Sequence, residues 1–107
     1  MRLALWTTVL VLAGCRDSVP LADDPEGARA CAVLDHWLRD GRKSAEADVV
    51  AEAAPHAIAA RTAAIRAPAG HGDALNPDGT CCYPVYFVDL RRLHAACREA
   101  GLELPPF

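Results

Sequence analysis

The 107-residue chain carries 11 basic and 14 acidic side chains, which gives a formal net charge of −3 with histidine neutral. Without an excess of basic residues to neutralise phosphates, nucleic acid is a poor candidate partner. The length allows one small domain, and the core of such a domain alone gives only marginal stability. We therefore expect covalent cross-links to contribute to the fold.

The N-terminal segment is a mostly apolar run that ends in a cysteine. Arg2 supplies one positive charge at its start, and the run closes with Leu12, Ala13, Gly14 and Cys15. About 20 apolar residues are needed to span a bilayer, so the run is too short for a transmembrane helix. A positive start and a short apolar stretch are typical of a secretory signal peptide. The alternative, an N-terminal helix of a cytosolic domain, is disfavoured because the run has no polar face.

This ending resembles the lipobox of bacterial lipoproteins, in which a large apolar residue and two small residues precede a cysteine. The resemblance covers the first 15 residues and implies that residues 1–14 are a signal peptide cleaved before a diacylated Cys15. It also implies a location on the extracytoplasmic face of a cell membrane, or at the outer membrane in a Gram-negative envelope. Two or three acyl chains on one cysteine give stable attachment. We expect residues 15–23 to form a lipidated tether and residues 24–107 to fold.

The folded part begins with a clear helix start. Asp24 is an acidic N-cap, Pro25 suits the first helical position, and apolar residues then recur on one face. The pattern predicts a first helix from Pro25 to Asp40 that stops at Gly41.

The next segment, residues 45–67, is rich in alanine and therefore predicts a second helix, with Ser44 as its cap. Pro55 lies inside it and removes one backbone hydrogen bond. We expect a bend or split near Ala53 and an end at Pro68.

The remaining chain contains one further predicted helix. Residues 69–80 are rich in Gly, Pro, Asn and Asp and predict a loop, with a turn at Asn76 to Gly79. Tyr83–Val88 is β-like but has no obvious partner strand, so it is predicted to be extended across the helices. Asp89 caps a third helix, Leu90 to Ala100. The prediction is an all-α domain of three helices, the middle one bent.

Four further cysteines follow the lipobox: Cys31, Cys81, Cys82 and Cys97. Export places them in an oxidising compartment, where an even number favours disulfides. Cys31 and Cys97 lie on the apolar faces of the first and third helices, so we prefer the Cys31–Cys97 pairing. That pairing leaves Cys81 and Cys82 as a vicinal bridge or as thiols. Two alternatives that pair each of them with a helical cysteine stay open, because neighbours in an extended chain point to opposite sides.

The same vicinal cysteines suggest two kinds of chemistry. With His71 and His94 they offer thiolate and imidazole ligands that suit zinc or cuprous copper, but the spacing matches no metal motif. Alternatively they form a redox-active pair, although nothing places them beside a basic group that stabilises a thiolate. We favour neither, and predict no metal ligands.

Aromatic residues are scarce, and three of them lie close together in Tyr83, Tyr86 and Phe87. Such residues anchor partners in many interfaces. Because the chain has few large apolar residues, we predict that they fill the core together with Trp37. His56 follows Glu52 by four residues, which indicates a solvated helix face rather than a ligand pair.

No catalytic or phosphate-binding motif is present, so we predict neither an enzyme nor a cofactor. The expected function is that of a membrane-anchored, non-catalytic envelope lipoprotein. It would bind a protein or small ligand through its helices or through the loop of residues 68–80. The alternative is a metal-handling or thiol-redox lipoprotein that uses Cys81 and Cys82.

Overall fold

The computed structural model describes residues 19–107, so the predicted signal peptide and the lipidation site Cys15 lie outside the described residues. The described part contains a 3-10 turn, four α-helices and two β-strands, and none of its helices is long and apolar enough to cross a bilayer. In chain order these are the 3-10 turn Leu21–Asp23, α1 Pro25–Arg39, α2 Glu46–Ala59, α3 Ala63–Arg66, β1 Ala69–Ala74, β2 Tyr83–Val88 and α4 Leu90–Glu99.

The prediction of an all-α domain is wrong, because the segment expected to be a loop contributes a strand. β1 pairs antiparallel with β2 over its whole length, starting with Ala69 opposite Val88. β1 consists of Ala, Gly, His and Asp, which have weak strand preferences, so its own sequence does not predict it. The turn predicted between the strands is present, with the Gly79 amide 2.9 Å from the Asn76 carbonyl. The domain is mixed α and β.

The first and last helices match their predictions closely. The Asp24 carboxylate accepts a hydrogen bond from the Gly27 amide at 3.0 Å, and the Asp89 carboxylate accepts from the Arg91 and Arg92 amides. Each of these helices therefore begins at the position that its acidic cap and its apolar pattern predict.

The middle helix is divided later than predicted. It is split between Ala59 and Ala63 into α2 and α3, whereas Pro55 remains inside α2. Ser44 does not cap α2; the N-cap is Ala45, and no side chain bonds there. The position of the split is set by hydrogen bonds to the Asp24 carboxylate rather than by the proline.

Asp24 joins the start of α1 to the turn between α2 and α3. Its carboxylate is fully buried and, besides capping α1, accepts hydrogen bonds from the Arg61 amide at 2.9 Å and from the Thr62 amide and hydroxyl at 2.9 and 2.7 Å. Because these amides bond to a side chain, the helix is interrupted here. Burial alone would raise the pKa of Asp24, but the hydrogen bonds from Arg61, Thr62 and Gly27 outweigh it and lower the pKa to about 2.

The core is built from the buried faces of α1, α2 and α4, together with Ile65 of α3 and Val88 of β2. The disulfide Cys31–Cys97 joins α1 to α4, with 5.8 Å between the Cα atoms, and both cysteines are fully buried. The preferred pairing is thus confirmed over the two alternatives. In the chain-entropy account a bridge across this sequence separation contributes about 4 kcal/mol. The fully buried residues around it are Ala30, Leu34, Ala53, Ala54, Ala57, Ile65 and Leu93.

We expect Asp24→Asn to lower the free energy of unfolding by about 2 to 4 kcal/mol. The variant has nearly the same shape, but it loses the charge and places an amide NH₂ against donors that need acceptors. Denaturant unfolding measures the loss. Asp23→Asn is the matched control, because Asp23 is exposed and one position away. Equal stability of the two variants would contradict the role given to Asp24.

The same carboxylate makes stability depend on acid. Its pKa of about 2 in the folded protein lies below its ordinary value of 3.8, so its contribution is complete above about pH 4 and is lost as the pH falls toward 2. Between pH 4 and pH 2 the free energy of unfolding of the natural protein should fall by on the order of 2 kcal/mol more than that of Asp24→Asn. Denaturant unfolding at a series of pH values measures the difference.

Candidate functional site

A groove of about 850 Å³ runs beside β2. One side is the first half of α2, the other is β2, and the start of α4 and Phe107 close one end. Apolar groups dominate the lining, and two arginines and two acidic residues provide the charges. The residues that line it are Arg42, Glu46, Ala47, Val50, Ala51, Val85, Tyr86, Val88, Asp89, Leu90, Arg91 and Phe107.

Two guanidinium groups pack against the Phe107 ring. The central carbon of Arg42 lies 4.9 Å from the centre of the Phe107 ring, and that of Arg91 lies 5.0 Å from it. The Trp37 and His94 rings lie 6.4 and 5.8 Å away. These contacts combine aromatic packing with cation–π attraction, so they fix the positions of both arginines at the groove.

Two hydrogen bonds hold the segment that carries Phe107 against the helices. The Nε2 atom of His94 lies 2.8 Å from the Pro105 carbonyl, and Arg39 donates to the Glu103 carbonyl at 3.1 Å. The prolines prevent helix formation here. This fixed, non-helical segment brings Phe107 back to the end of the groove.

Within residues 19–107, neither Arg42 nor Arg91 forms an ion pair or a side-chain hydrogen bond. Stacking on a ring occupies the face of a guanidinium but leaves the N–H groups in its plane available as donors. Of the two acidic groups in the lining, Asp89 is engaged as the cap of α4, and Glu46 forms no ion pair with either arginine in the described part of the chain. The two arginines can therefore bind a carboxylate or a similar anion from outside the domain.

The prediction that the strand aromatics fill the core is wrong. Tyr83, Tyr86 and Phe87 are 46, 41 and 54 % exposed. Trp37 is buried as predicted, and its Nε1 atom donates to the Ser44 carbonyl at 2.9 Å. Val85 is also exposed, so β2 presents large apolar side chains on both faces and is buried only at Val88.

The glycines of β1 differ in what they contact. Gly70 lies opposite Phe87, and a Cβ added at Gly70 would be 2.5 Å from the Cζ atom of that ring. Gly72 lies opposite Val85, and a Cβ there would meet nothing within 4 Å. Gly70 thus provides the flat backbone on which the Phe87 ring packs, an arrangement known from other strand pairs.

The four residues considered and disfavoured as metal ligands, His71, His94, Cys81 and Cys82, do not form a metal site. His71 is on β1 beside Tyr86, whereas His94 is buried on α4 and bonded to the Pro105 carbonyl. No group of three or more possible ligands lies within metal-binding distance among residues 19–107. His56 does not pair with Glu52; its Nδ1 atom lies 2.6 Å from the Glu26 carboxylate, which links α2 to α1.

Cys81 and Cys82 pair with each other at the end of the turn that precedes β2, and both are exposed. The turn itself is held by Asp78, whose carboxylate accepts hydrogen bonds from the Thr80 hydroxyl at 2.6 Å and the Thr80 amide at 3.0 Å. These bonds lower the pKa of Asp78. The exposed pair therefore lies on an ordered turn.

Comparison of the chain with protein-family models, curated proteins and solved structures finds no match. The groove residues Arg42, Arg91 and Phe107 belong to no sequence motif and were not predicted as site residues. The sequence signal for the hairpin is the turn at Asn76 to Gly79 followed by the β-like segment Tyr83–Val88.

We expect Gly70→Ala and Gly72→Ala to affect stability differently. A methyl group at Gly70 displaces the Phe87 ring, whereas one at Gly72 only reduces the freedom of the unfolded chain. Gly72→Ala should be neutral or slightly stabilising, and Gly70→Ala should be less stable than it by about 1 kcal/mol. Thermal unfolding of the two matched variants measures the difference. Identical stabilities would show that the Phe87 ring does not pack on β1.

Proposed function

We propose that this protein is a lipid-anchored, non-catalytic binding module that acts at the extracytoplasmic face of a bacterial membrane. The groove beside β2 is its binding site, and the partner is a protein of the cell envelope. The observation that carries this proposal is the pair of arginines without ion-pair partners among the described residues, which stack on Phe107 at the end of an apolar groove.

The chemistry of the groove supports a protein partner. Aromatic and arginine side chains are the residues that most often dominate binding energy in protein interfaces. Here Tyr86 and Phe107 provide rings, and Arg42 and Arg91 provide donors for a carboxylate. A groove that is open along one side suits a chain segment better than a small molecule, which pockets usually enclose.

A lipid anchor at Cys15 would leave only a short connection between the membrane and the domain. Only residues 16–20 separate Cys15 from the 3-10 turn that starts at Leu21, and an extended chain spans about 3.5 Å per residue. An acylated Cys15 would keep the domain within about 20 Å of the bilayer. The partner is therefore a membrane protein or another protein that approaches the membrane surface.

A second candidate function is thiol–disulfide exchange at Cys81 and Cys82. The supporting observation is that this pair is exposed, whereas Cys31–Cys97 is fully buried. In such an exchange the Cys81–Cys82 disulfide would take two electrons and two protons from a partner dithiol, which would become a disulfide. Titration of the native protein with a reduced thioredoxin-like dithiol protein distinguishes the two functions. If no thiols appear at Cys81 and Cys82, the redox function is rejected.

We expect Cys15→Ala to abolish lipidation. The natural protein should be recovered from membranes with an acylated N-terminal Cys15, and the variant should be unprocessed and without acyl groups in mass spectrometry. Ser18→Ala, a substitution close to Cys15 but outside the lipobox, is the control and should retain the acyl groups. Natural protein with an intact Met1 and an unmodified Cys15 would contradict the anchor.

We expect a photo-crosslinking amino acid at Ala51 to capture a defined partner in native membranes, because Ala51 is exposed and lines the groove. The same amino acid at Ala95, an exposed position of α4 outside the groove, is the matched control. A product formed at Ala51 and absent at Ala95 supports binding in the groove. Equal products at both positions, or none at Ala51, would contradict the proposed function.

A further inference from the structure

We propose that the partner binds as an extended strand that pairs with the outer edge of β2 and places a carboxylate against Arg42 and Arg91. This inference rests on the proposed binding function and specifies its mode. β-strand addition of this kind obtains affinity from main-chain hydrogen bonds and specificity from alternate side chains.

The alternation of hydrogen-bonded and non-bonded pairs along the hairpin, here called its phase, shows which backbone groups of β2 do not bond to β1. The Asp89 amide donates to the Pro68 carbonyl at 2.9 Å, one position beyond the pair formed by Val88 and Ala69. Hydrogen-bonded and non-bonded pairs alternate in an antiparallel ladder. The amides of Phe87 and Val85 therefore point toward β1, and the amides and carbonyls of Tyr86 and Val88 point away from it.

Pro84 provides an independent check on this phase. It lies two residues from Tyr86, so its nitrogen also points away from β1, and proline has no N–H to lose there. The close approach of the Tyr86 and His71 rings, whose centres are 6.0 Å apart, agrees with a directly opposed, non-bonded pair. The hairpin therefore has a complete inner ladder and an unused outer edge at Tyr86.

No other element supplies backbone partners to that edge. Among residues 19–107, no backbone hydrogen bond joins any residue of β2 to an element other than β1. Unpaired strand edges readily accept another strand, and natural proteins usually protect them with charges or proline, or cover them; here Pro84 protects only the start of the edge. The Tyr86 edge is instead apolar and opens into the groove.

The groove has the composition that an added strand needs. On the α2 side the small residues Ala47 and Ala51 line it together with Val50. A strand added about 4.8 Å from β2 would rest its apolar side chains on these residues. At the end of the groove the N–H groups of Arg42 and Arg91 would meet a carboxylate, which a segment with one Asp or Glu among alternating apolar residues supplies.

The outer edge of β1 does not offer the same surface. The residues whose backbone groups point outward there, Ala69, His71 and Asp73, include no large apolar side chain.

A second copy of the chain is also a weaker candidate for the β2 edge. Its own β2 has two tyrosines, a proline, two valines and a phenylalanine, and so has no carboxylate for the two arginines.

The test uses the mature protein and a phage-displayed library of random dodecapeptides. Enriched peptides should alternate apolar residues with others and contain Asp or Glu, and binding should protect the Tyr86 amide from hydrogen exchange. The decisive variant is Tyr86→Pro, which removes the outward N–H without affecting the ladder to β1. It should bind the peptides about tenfold more weakly than Tyr86→Val, which removes the ring but keeps the N–H.

The arginine contact has its own matched pair of variants. Arg91→Gln should weaken binding of the acidic peptides about fivefold or more, whereas Arg98→Gln, on the same helix but outside the groove, should leave it unchanged. When Asp or Glu in the selected peptides is replaced by Asn or Gln, Arg91→Gln and Arg98→Gln should bind the peptides with equal affinity.

Three results would overturn the proposal. Peptides that protect α2 amides but bind Tyr86→Pro and Tyr86→Val equally would show groove binding without strand addition, which leaves the proposed function intact. A library that yields no groove binder would count against both the mode and the function. A dimer of the natural protein in sedimentation, dissociated by Tyr86→Pro, would show that a second copy occupies the edge.

Discussion

The buried carboxylate of Asp24 is the interaction on which the rest of the domain depends. It caps α1 and at the same time takes the Arg61 and Thr62 amides out of the helix that would otherwise continue. One charged group therefore fixes the start of the first helix and the end of the second. A buried charge is costly unless it is fully hydrogen-bonded, and here each of its bonds replaces part of the lost hydration. The low pKa of Asp24 expresses that balance, since the charged form is the one that the donors favour.

The groove follows from this constraint. Because α2 ends at Ala59, the chain turns through α3 and enters β1 instead of extending past the hairpin. β2 then returns along α2, and the turn into α4 at Asp89 brings Arg91 to the Phe107 ring that Arg42 also contacts. The site residues come from four separate parts of the chain. Their proximity depends on the turn at Asp24 and on the segment that His94 and Arg39 hold in place.

Much of the local structure could be predicted from sequence, and little of the site could. Asp24 and Asp89 carry the capping chemistry that starts α1 and α4, and the positions of Cys31 and Cys97 on apolar helix faces predicted their pairing. β1 could not be predicted, because Gly70 and Gly72 weaken any strand signal and the stability of the strand comes from β2. The break after Ala59 depends on a residue 37 positions away, through the bond from Arg61. Arg42 and Phe107 likewise meet only in the folded chain.

The exposed aromatics follow from the same feature that makes the core thin. Ala53, Ala54 and Ala57 are fully buried, and such small side chains let α1 and α2 approach closely. A closely packed interior has no space for the rings of Tyr83, Tyr86 and Phe87. They remain on the hairpin, while the Cys31–Cys97 bridge supplies stability that a larger core would otherwise provide. The alanine-rich helix thus both requires the covalent cross-link and leaves the aromatic surface available to a partner.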